Sequence, residues 1–199
     1  MSAQKRGQET RSRILEAAAE SFAQNGYDGT GVAEICHRAS VTKGAFYHHF
    51  PSKQAVFLEL LEQWLAGLDA QLKLVRAGVG TIPERLVQMA GMLRLVFQVA
   101  EGKLPIFLEF WAKAGHDPDI WLATVAPYRQ YRTFIARMIE MGIAEGSLRA
   151  VDPEETAEVI VALAVGLLLQ GLLDPQGADR GQIAEEGVRM LLKGLGRKD

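Results

Sequence analysis

The stretch V-T-K-G-A-F-Y-H-H-F, residues 41–50, decides how the rest of the chain is interpreted. It places a lysine, a glycine, a tyrosine and two histidines within one short segment. At 100° per residue on a helix, a set of four residues falls within one arc of about 140°. That set is Lys43, Gly44, Tyr47 and His48. A mixed basic and aromatic face of this kind suits nucleic acid, because lysine reaches phosphate or guanine and glycine permits close approach.

The residues around this stretch predict a helix-turn-helix motif over residues 30–49. Thr30 is placed to cap a first short helix, Thr42 is placed to cap the second, and residues 39–41 form the turn between them. Phe46 is expected to anchor the second helix, with Val41 and Phe50 beside it. The competing interpretation is that Tyr47 and His48 only cover the junction with the next helix and that Lys43 is a solvated charge.

Helical periodicity dominates the remaining sequence, and strand alternation is nearly absent. A first apolar stripe is followed by Asn25-Gly26, a typical helix stop. The sequence therefore predicts an all-α protein of about nine helices, with a three-helix DNA-binding domain at 1–51 and a helical domain at 52–199. The stripe is Ile14, Leu15, Ala18, Ala19 and Phe22, and the later helices are expected at 52–76, 82–100, 104–114, 118–145, 153–173 and 179–195.

Composition fits a globular protein without a membrane span. The chain has 199 residues, of which 48% are hydrophobic and 23% charged, and a single cysteine, Cys36. The polar N-terminus lacks an apolar signal core, and the longest apolar run, 159–169, is shorter than the roughly 20 residues that cross a bilayer. We therefore expect a cytoplasmic protein. Residues 1–53 carry a net charge of +2 and the remainder −4, which favours a polyanion partner for the N-terminal part.

Residues 30–57, T-G-V-A-E-I-C-H-R-A-S-V-T-K-G-A-F-Y-H-H-F-P-S-K-Q-A-V-F, resemble the N-terminal signature of the tetracycline-repressor (TetR) family of bacterial regulators. The resemblance covers about residues 8–60. It implies a sequence-specific DNA-binding regulator without enzymatic activity. The same resemblance places base or phosphate contacts on one set of residues: Thr30, Thr42, Lys43, Gly44, Ala45, Tyr47, His48, His49 and Lys53.

Three positions depart from the family pattern. Cys36 replaces the usual alanine and is expected to pack as a small hydrophobe. Ser40 stands where glycine is common, so a positive φ there would carry strain. Gly31 stands where serine or threonine is frequent, which removes a phosphate-binding hydroxyl. His49 lies on the inner half of the wheel, so it is expected to brace the next helix, with only its ring edge reaching DNA.

A single helix-turn-helix reads few base pairs, so the resemblance also implies a homodimer on a two-fold operator in double-stranded DNA. Two recognition helices would then lie about 34–36 Å apart, or a multiple of that distance. Helix 153–173 is apolar nearly all round, and with helix 179–195 it is predicted to form half of a four-helix interface. The alternative is an ordinary core within one chain.

The middle of the chain is rich in aromatic and methionine side chains, which suit an apolar effector pocket. Polar groups for orienting an effector would be Glu109, His116, Asp117, Tyr128 and Arg132. The alternative is that aromatic residues at helical spacing are simply core. The predicted effector-binding residues are Trp64, Met89, Met92, Phe97, Phe107, Phe110, Trp111, Tyr128 and Tyr131.

The family mechanism implied is a repressor that a hydrophobic small molecule releases from its operator by tilting helix 52–76. An activator would share every feature above. An enzyme is disfavoured because the sequence has no nucleophile elbow, phosphate loop or zinc-helix motif. Cys36, His37, His48 and His49 are metal-ligand types, but adjacent residues point to different helix faces, so no metal or other cofactor is predicted. A sequence-indifferent architectural protein is disfavoured by the small net charge.

Overall fold

The computed structural model describes residues 3–77, 80–100, 104–174 and 176–195, and the side chains within them except those of 3–4, 68–77, 98–100, 104 and 107. Every regular element in these residues is a helix, which confirms the predicted all-α class. The ten helices are α1 (Ala3–Gly29), α2 (Val32–Arg38), α3 (Lys43–His49), α4 (Lys53–Ala77), α5 (Ile82–Gly91), α6 (Leu93–Ala100), α7 (Leu104–Ala114), α8 (Pro118–Ala144), α9 (Pro153–Leu173) and α10 (Arg180–Leu195).

Most predicted helix starts are confirmed by their caps. The Ser52 hydroxyl accepts a hydrogen bond from the Ala55 N–H, and Asp152 accepts one from the Glu155 N–H at 2.8 Å. Asp117 caps α8 by accepting from the N–H groups of Asp119 and Ile120. Such caps satisfy amide groups that have no partner within the helix.

Two local predictions are wrong. The helix expected at 82–100 is two helices, because the chain turns at Met92, whose N–H bonds back to carbonyls of α5. Thr30 does not cap α2. The cap position is Gly31, which supplies no side-chain bond, while the Thr30 hydroxyl donates to the Gly26 carbonyl oxygen.

The chain divides into two compact units, and the first comprises Met1–Ala66 and Gly102–Thr124. Its core is built on the predicted α1 stripe, which is buried, together with residues of α2, α3, α4 and α7. Phe57 of α4 and Phe110 of α7 stack with ring centroids 3.7 Å apart at the centre of this core. The unit that holds the helix-turn-helix thus includes 102–124, a segment that the sequence analysis placed in the second domain.

The second unit comprises Gly67–Glu101 and Val125–Asp199. In it α10 packs against α5, α6 and α9 around a core that includes Ile82, Leu86 and Ile139. Glycines permit the close helix approaches: a Cβ on Gly181 would lie 2.7 Å from Arg94 Cβ, and one on Gly187 would lie 2.8 Å from the Leu163 side chain. The burial of these apolar side chains stabilises the unit.

Candidate DNA-binding surface

Helix α3 is fixed by a cap at its start and an aromatic anchor on its inner face. The Thr42 hydroxyl accepts a hydrogen bond from the Ala45 N–H at 3.1 Å, as the sequence predicted. Phe46 is fully buried, with its ring 6.1 Å from that of Phe50. Because the inner face is held in this way, the orientation of the outer face follows from the helical period.

The outer face of α3 is exposed as the wheel predicted. Lys43, Gly44, Tyr47 and His48 are all exposed. Tyr47 is 55% exposed, with one ring edge resting on Phe46 at a centroid distance of 5.3 Å. A side chain more than half exposed does not serve mainly to cover a helix junction. Within its unit, α3 therefore presents a lysine, a bare backbone position and two rings to solvent.

His49 lies on the inner half of α3, also as expected. It is partly buried, its Cε1 atom lies 3.9 Å from where a Cβ on Gly7 would stand, and its ring centroid is 5.1 Å from that of His48. Burial lowers the pKa of His49, and the nearby His48 and Arg11 lower it further. His49 thus lies against the start of α1, whereas the expected contact was with the next helix. Ala45 is likewise partly buried.

The turn between α2 and α3 is tight and contains one strained residue. Ser40 has φ 52°, a left-handed conformation that serine adopts at a cost. Val41 donates its N–H to the Cys36 carbonyl at 2.9 Å, which closes the turn. The Cys36 side chain is buried in the core and burial raises its pKa. It packs as the small hydrophobe that the sequence analysis expected.

Two predicted phosphate contacts are directed elsewhere. Thr30 is 1% exposed, and its hydroxyl is bonded to Gly26. The Lys53 ammonium donates to the carbonyl oxygens of Tyr27 and Thr30 at 2.6 and 2.8 Å, and it lies 4.1 Å from the Tyr27 ring centroid. Its burial lowers the pKa of Lys53. Both side chains serve the local fold in this structure.

The role of Arg11 beside the end of α3 was not predicted from the sequence. Arg11 lies 5.0 Å over the Phe50 ring and pairs with Glu59 at 2.8 Å, joining α1 to α4 beside the end of α3. The hydrogen bond from Arg11 lowers the pKa of Glu59. No local pattern pointed to this pair, because its partners are far apart in sequence.

The predicted effector-binding residues of the first unit have different environments. Phe110 is 1% exposed and belongs to the core, where the core alternative placed it. Trp111 is 40% exposed, and Trp64 is partly buried. Of the polar candidates in this unit, Glu109 bonds to Tyr27 and Asp117 caps α8, while His116 is exposed. The Phe107 side chain lies outside the described residues.

The other predicted effector-binding residues belong to the second unit and are all partly buried. Met89 and Tyr128 pack on its core. Arg132, a polar candidate, pairs with Glu154 at 3.5 Å and Glu158 at 3.8 Å. The remaining three are Met92, Phe97 and Tyr131.

Among the residues that the structure describes, no group of three or more His, Cys, Asp or Glu side chains is placed to hold a metal ion. Buried Cys36 and the exposed ring of His48 have separate surroundings.

A capped recognition helix with an exposed basic and aromatic face, carried on a helix-turn-helix, defines a DNA-binding regulator. Comparison with known proteins identifies the family. The sequence profile "Bacterial regulatory proteins, tetR family" matches residues 14–60, and "BetI-type transcriptional repressor, C-terminal" matches residues 83–195. The chain therefore belongs to the TetR family of transcriptional regulators.

Individual relatives extend over nearly the whole chain. The A-factor receptor protein of Streptomyces griseus is 31% identical over 93% of this chain, which spans 63% of that relative's length. The regulator UidR of Escherichia coli K12 is 22% identical, with 96% of this chain and 95% of the relative covered. A transcriptional regulator of Saccharomonospora viridis, solved in complex with choline, has a TM-score of 0.80 at 23% identity, covering 96% of this chain and all of that one. The last likeness supports the fold.

Proposed function

We propose that this protein is a repressor that binds a palindromic operator as a homodimer and leaves it when a small hydrophobic effector binds. The observation that carries the proposal is the exposed face of α3. Lys43, Gly44, Tyr47 and His48 offer an ammonium, a close-approach position, a hydroxyl and an imidazole along one side of a rigid helix.

These groups have complementary roles on duplex DNA. The major groove admits a helix, in which a lysine can meet guanine acceptors or phosphate and Tyr47 can donate its hydroxyl to a phosphate. The Thr42 hydroxyl, exposed at the start of α3, adds a donor beside the helix N-terminal amides. Ala45 and His49 contribute only through the part of their surface that stays exposed.

A second copy of the chain is the proposed cover for α9 and α10. Helix α9 has a buried face that includes Ala157, Ile160 and Leu167, yet it also exposes Val159, Leu169 and Leu173, the last at 85%. By length and composition α9 could cross a membrane, but one such helix is weak evidence, and regulators of this family are DNA-binding proteins. Apolar patches on such a protein mark interaction sites, and a homodimer supplies the second reading helix.

Effector control and a cytoplasmic location complete the proposal. The named ligands of relatives, A-factor for one and choline for another, support control by small molecules. The partly buried aromatic and methionine residues of the second unit supply suitable apolar surface: Met89, Met92, Phe97, Tyr128 and Tyr131. Helix-turn-helix regulators act where the bacterial chromosome lies. An activator of the same fold remains the second candidate, because the reading helix is common to both.

The deciding experiment measures binding to the DNA upstream of the protein's own gene and to random duplex at about 150 mM salt, where electrostatic binding alone is weak. We expect a discrete, roughly palindromic footprint and at least tenfold preference over random DNA. Equal affinity for both, or uniform coverage, would contradict the proposal.

A pair of variants that each remove one exposed cation tests the reading helix itself. Lys43→Ala should weaken operator binding and reduce the salt dependence by about one ion, whereas Arg137→Ala, on α8, should change neither. Tyr47→Ala should weaken operator binding with helical content intact. If Tyr47→Ala unfolds the protein, Tyr47 is a packing residue and the assignment fails.

A reporter assay then separates repressor from activator. Deletion of the gene should raise expression from the footprinted promoter if the protein represses it. Lowered expression would favour the activator.

A further inference from the structure

The structure shows how α4 and α7 hold the turn that leads into the helix-turn-helix. This segment, residues 26–30, is called the Gly26 turn below. It begins where α1 loses helical geometry, at Gly26 with φ 72° and ψ 167°. Such a conformation is open to essentially glycine alone. Gly31 and α2 follow directly, so the direction of the Gly26 turn sets where α2 and α3 begin.

The α7 side of the Gly26 turn is held by a carboxylate. Glu109 Oε2 accepts the Tyr27 N–H at 2.6 Å, a short and charge-assisted hydrogen bond. A Cβ on Gly26 would lie 2.7 Å from Glu109 Oε1, so a larger residue here would have to displace this carboxylate as well as adopt a positive φ. One turn further along α7, the Lys113 ammonium donates to both oxygens of Asp28 at 2.8 Å.

The α4 side of the same turn is held by a cation. Lys53 donates to the carbonyls of Tyr27 and Thr30, while Glu109 receives the N–H of Tyr27. The Tyr27 ring also lies beneath both ammonium groups, at 4.1 Å from Lys53 and 4.8 Å from Lys113. The Tyr27 backbone is therefore held by α7 through its N–H group and by α4 through its carbonyl oxygen.

We propose that Glu109 is a positioning residue for DNA recognition, holding the Gly26 turn so that α2 and α3 keep the orientation that reads the operator. This inference rests on the proposed function. The hydrogen bond between the Tyr27 N–H and Glu109 is sensitive to displacement, because its 2.6 Å distance need only grow beyond about 3.5 Å for the bond to be lost. A shift of α7 by about 1 Å relative to the turn thus releases the N–H side while Lys53 still holds the carbonyl side.

Glu109→Ala and Glu109→Gln separate positioning from folding. The alanine variant removes the acceptor. The glutamine variant keeps an amide oxygen that accepts the Tyr27 N–H but loses the charge. Glu62→Ala, an exposed glutamate of α4, is the matched control. Two quantities are measured for each: the exchange rate of the Tyr27 amide hydrogen, and the ratio of operator affinity to random-DNA affinity at about 150 mM salt.

We expect Glu109→Ala to speed Tyr27 amide exchange and to lower the operator-to-random ratio about tenfold, with random-DNA affinity within about twofold of wild type because phosphate neutralisation is unchanged. Glu109→Gln should restore most of both quantities, and Glu62→Ala should match wild type. If Glu109→Ala fails to fold, the test rests on Glu109→Gln. Slow exchange of the Tyr27 amide together with an operator-to-random affinity ratio near that of wild type then supports the inference.

The inference is overturned if Glu109→Ala keeps the wild-type ratio, or if folded Glu109→Gln loses as much as Glu109→Ala. Failure of the proposed function looks different. In that case the wild-type protein itself shows no preference for any operator, whatever the exchange rate at Tyr27.

Discussion

Replacement of Ser40 by glycine should stabilise the protein. Ser40 holds φ 52° in the turn between α2 and α3, and its side chain is exposed. A non-glycine residue pays about 1–2 kcal/mol in this conformation because its Cβ crowds the following carbonyl. Glycine removes that cost but loses about 0.5–1 kcal/mol more backbone entropy on folding. The difference predicts a net gain of about 0.5–1 kcal/mol for Ser40→Gly.

Urea unfolding followed by circular dichroism measures this gain, at one fixed protein concentration because an oligomer's stability depends on concentration. Ser40→Ala is the control: it removes the hydroxyl and keeps the strain, so it should stay within about 0.5 kcal/mol of wild type. The turn geometry is unchanged in both variants, so operator affinity should be unchanged as well. The reasoning is refuted if Ser40→Gly is no more stable than Ser40→Ala.

Three further predictions concern helix ends, helix packing and association. Gly31→Ser should give α2 the side-chain cap it lacks, because no atom obstructs a Cβ there, and should raise the unfolding free energy by about 0.5 kcal/mol. A lower urea midpoint than that of wild type would contradict this. Gly171→Ala should cost about 1–3 kcal/mol because its Cβ would collide with the Phe97 ring, whereas Gly194→Ala, in open space, should be neutral or slightly stabilising; equal thermal midpoints would disprove the clash. Leu169→Glu should yield a monomer in sedimentation, whereas Leu122→Glu, at a more exposed leucine of α8, should remain dimeric. A dimeric Leu169→Glu would argue against α9 as the interface.

The parts of the fold that the sequence predicted well are those governed by local chemistry. Apolar spacing in α1 predicted its buried face, and hydroxyl or carboxylate residues at Thr42, Ser52 and Asp152 predicted three helix starts. Each of these effects acts within four residues, so a sequence window contains both partners. The exposed face of α3 followed in the same way once Phe46 was assigned to the core.

The break at Met92 and the environment of Phe110 were not predicted from the sequence. Gly91 precedes the break, but a single glycine within a helical pattern is often tolerated. The aromatic spacing around Phe110 fits a pocket and a core equally well. Its stacking on Phe57, more than fifty positions earlier in the chain, places Phe110 in the core of the first unit. Periodicity predicts which face of a helix is buried but does not predict which element packs against that face.

Thr30 and Lys53 show why a residue's type can match a family pattern while its role remains open. The break at Gly26 leaves backbone groups of the Gly26 turn without helical partners, and buried groups of this kind must be satisfied. Lys53 satisfies two carbonyls and Thr30 a third. Moving Lys53 to a phosphate would take the donor from the Thr30 carbonyl, at a cost of about 1–3 kcal/mol, and would leave the Tyr27 carbonyl with only the 3.3 Å bond from the Thr30 N–H. An exposed ion pair returns about 0.2–1 kcal/mol. Lys53 is therefore more stable in the inward position. The same need to satisfy backbone groups explains why Glu109 accepts the Tyr27 N–H, a contact that no sequence spacing predicts.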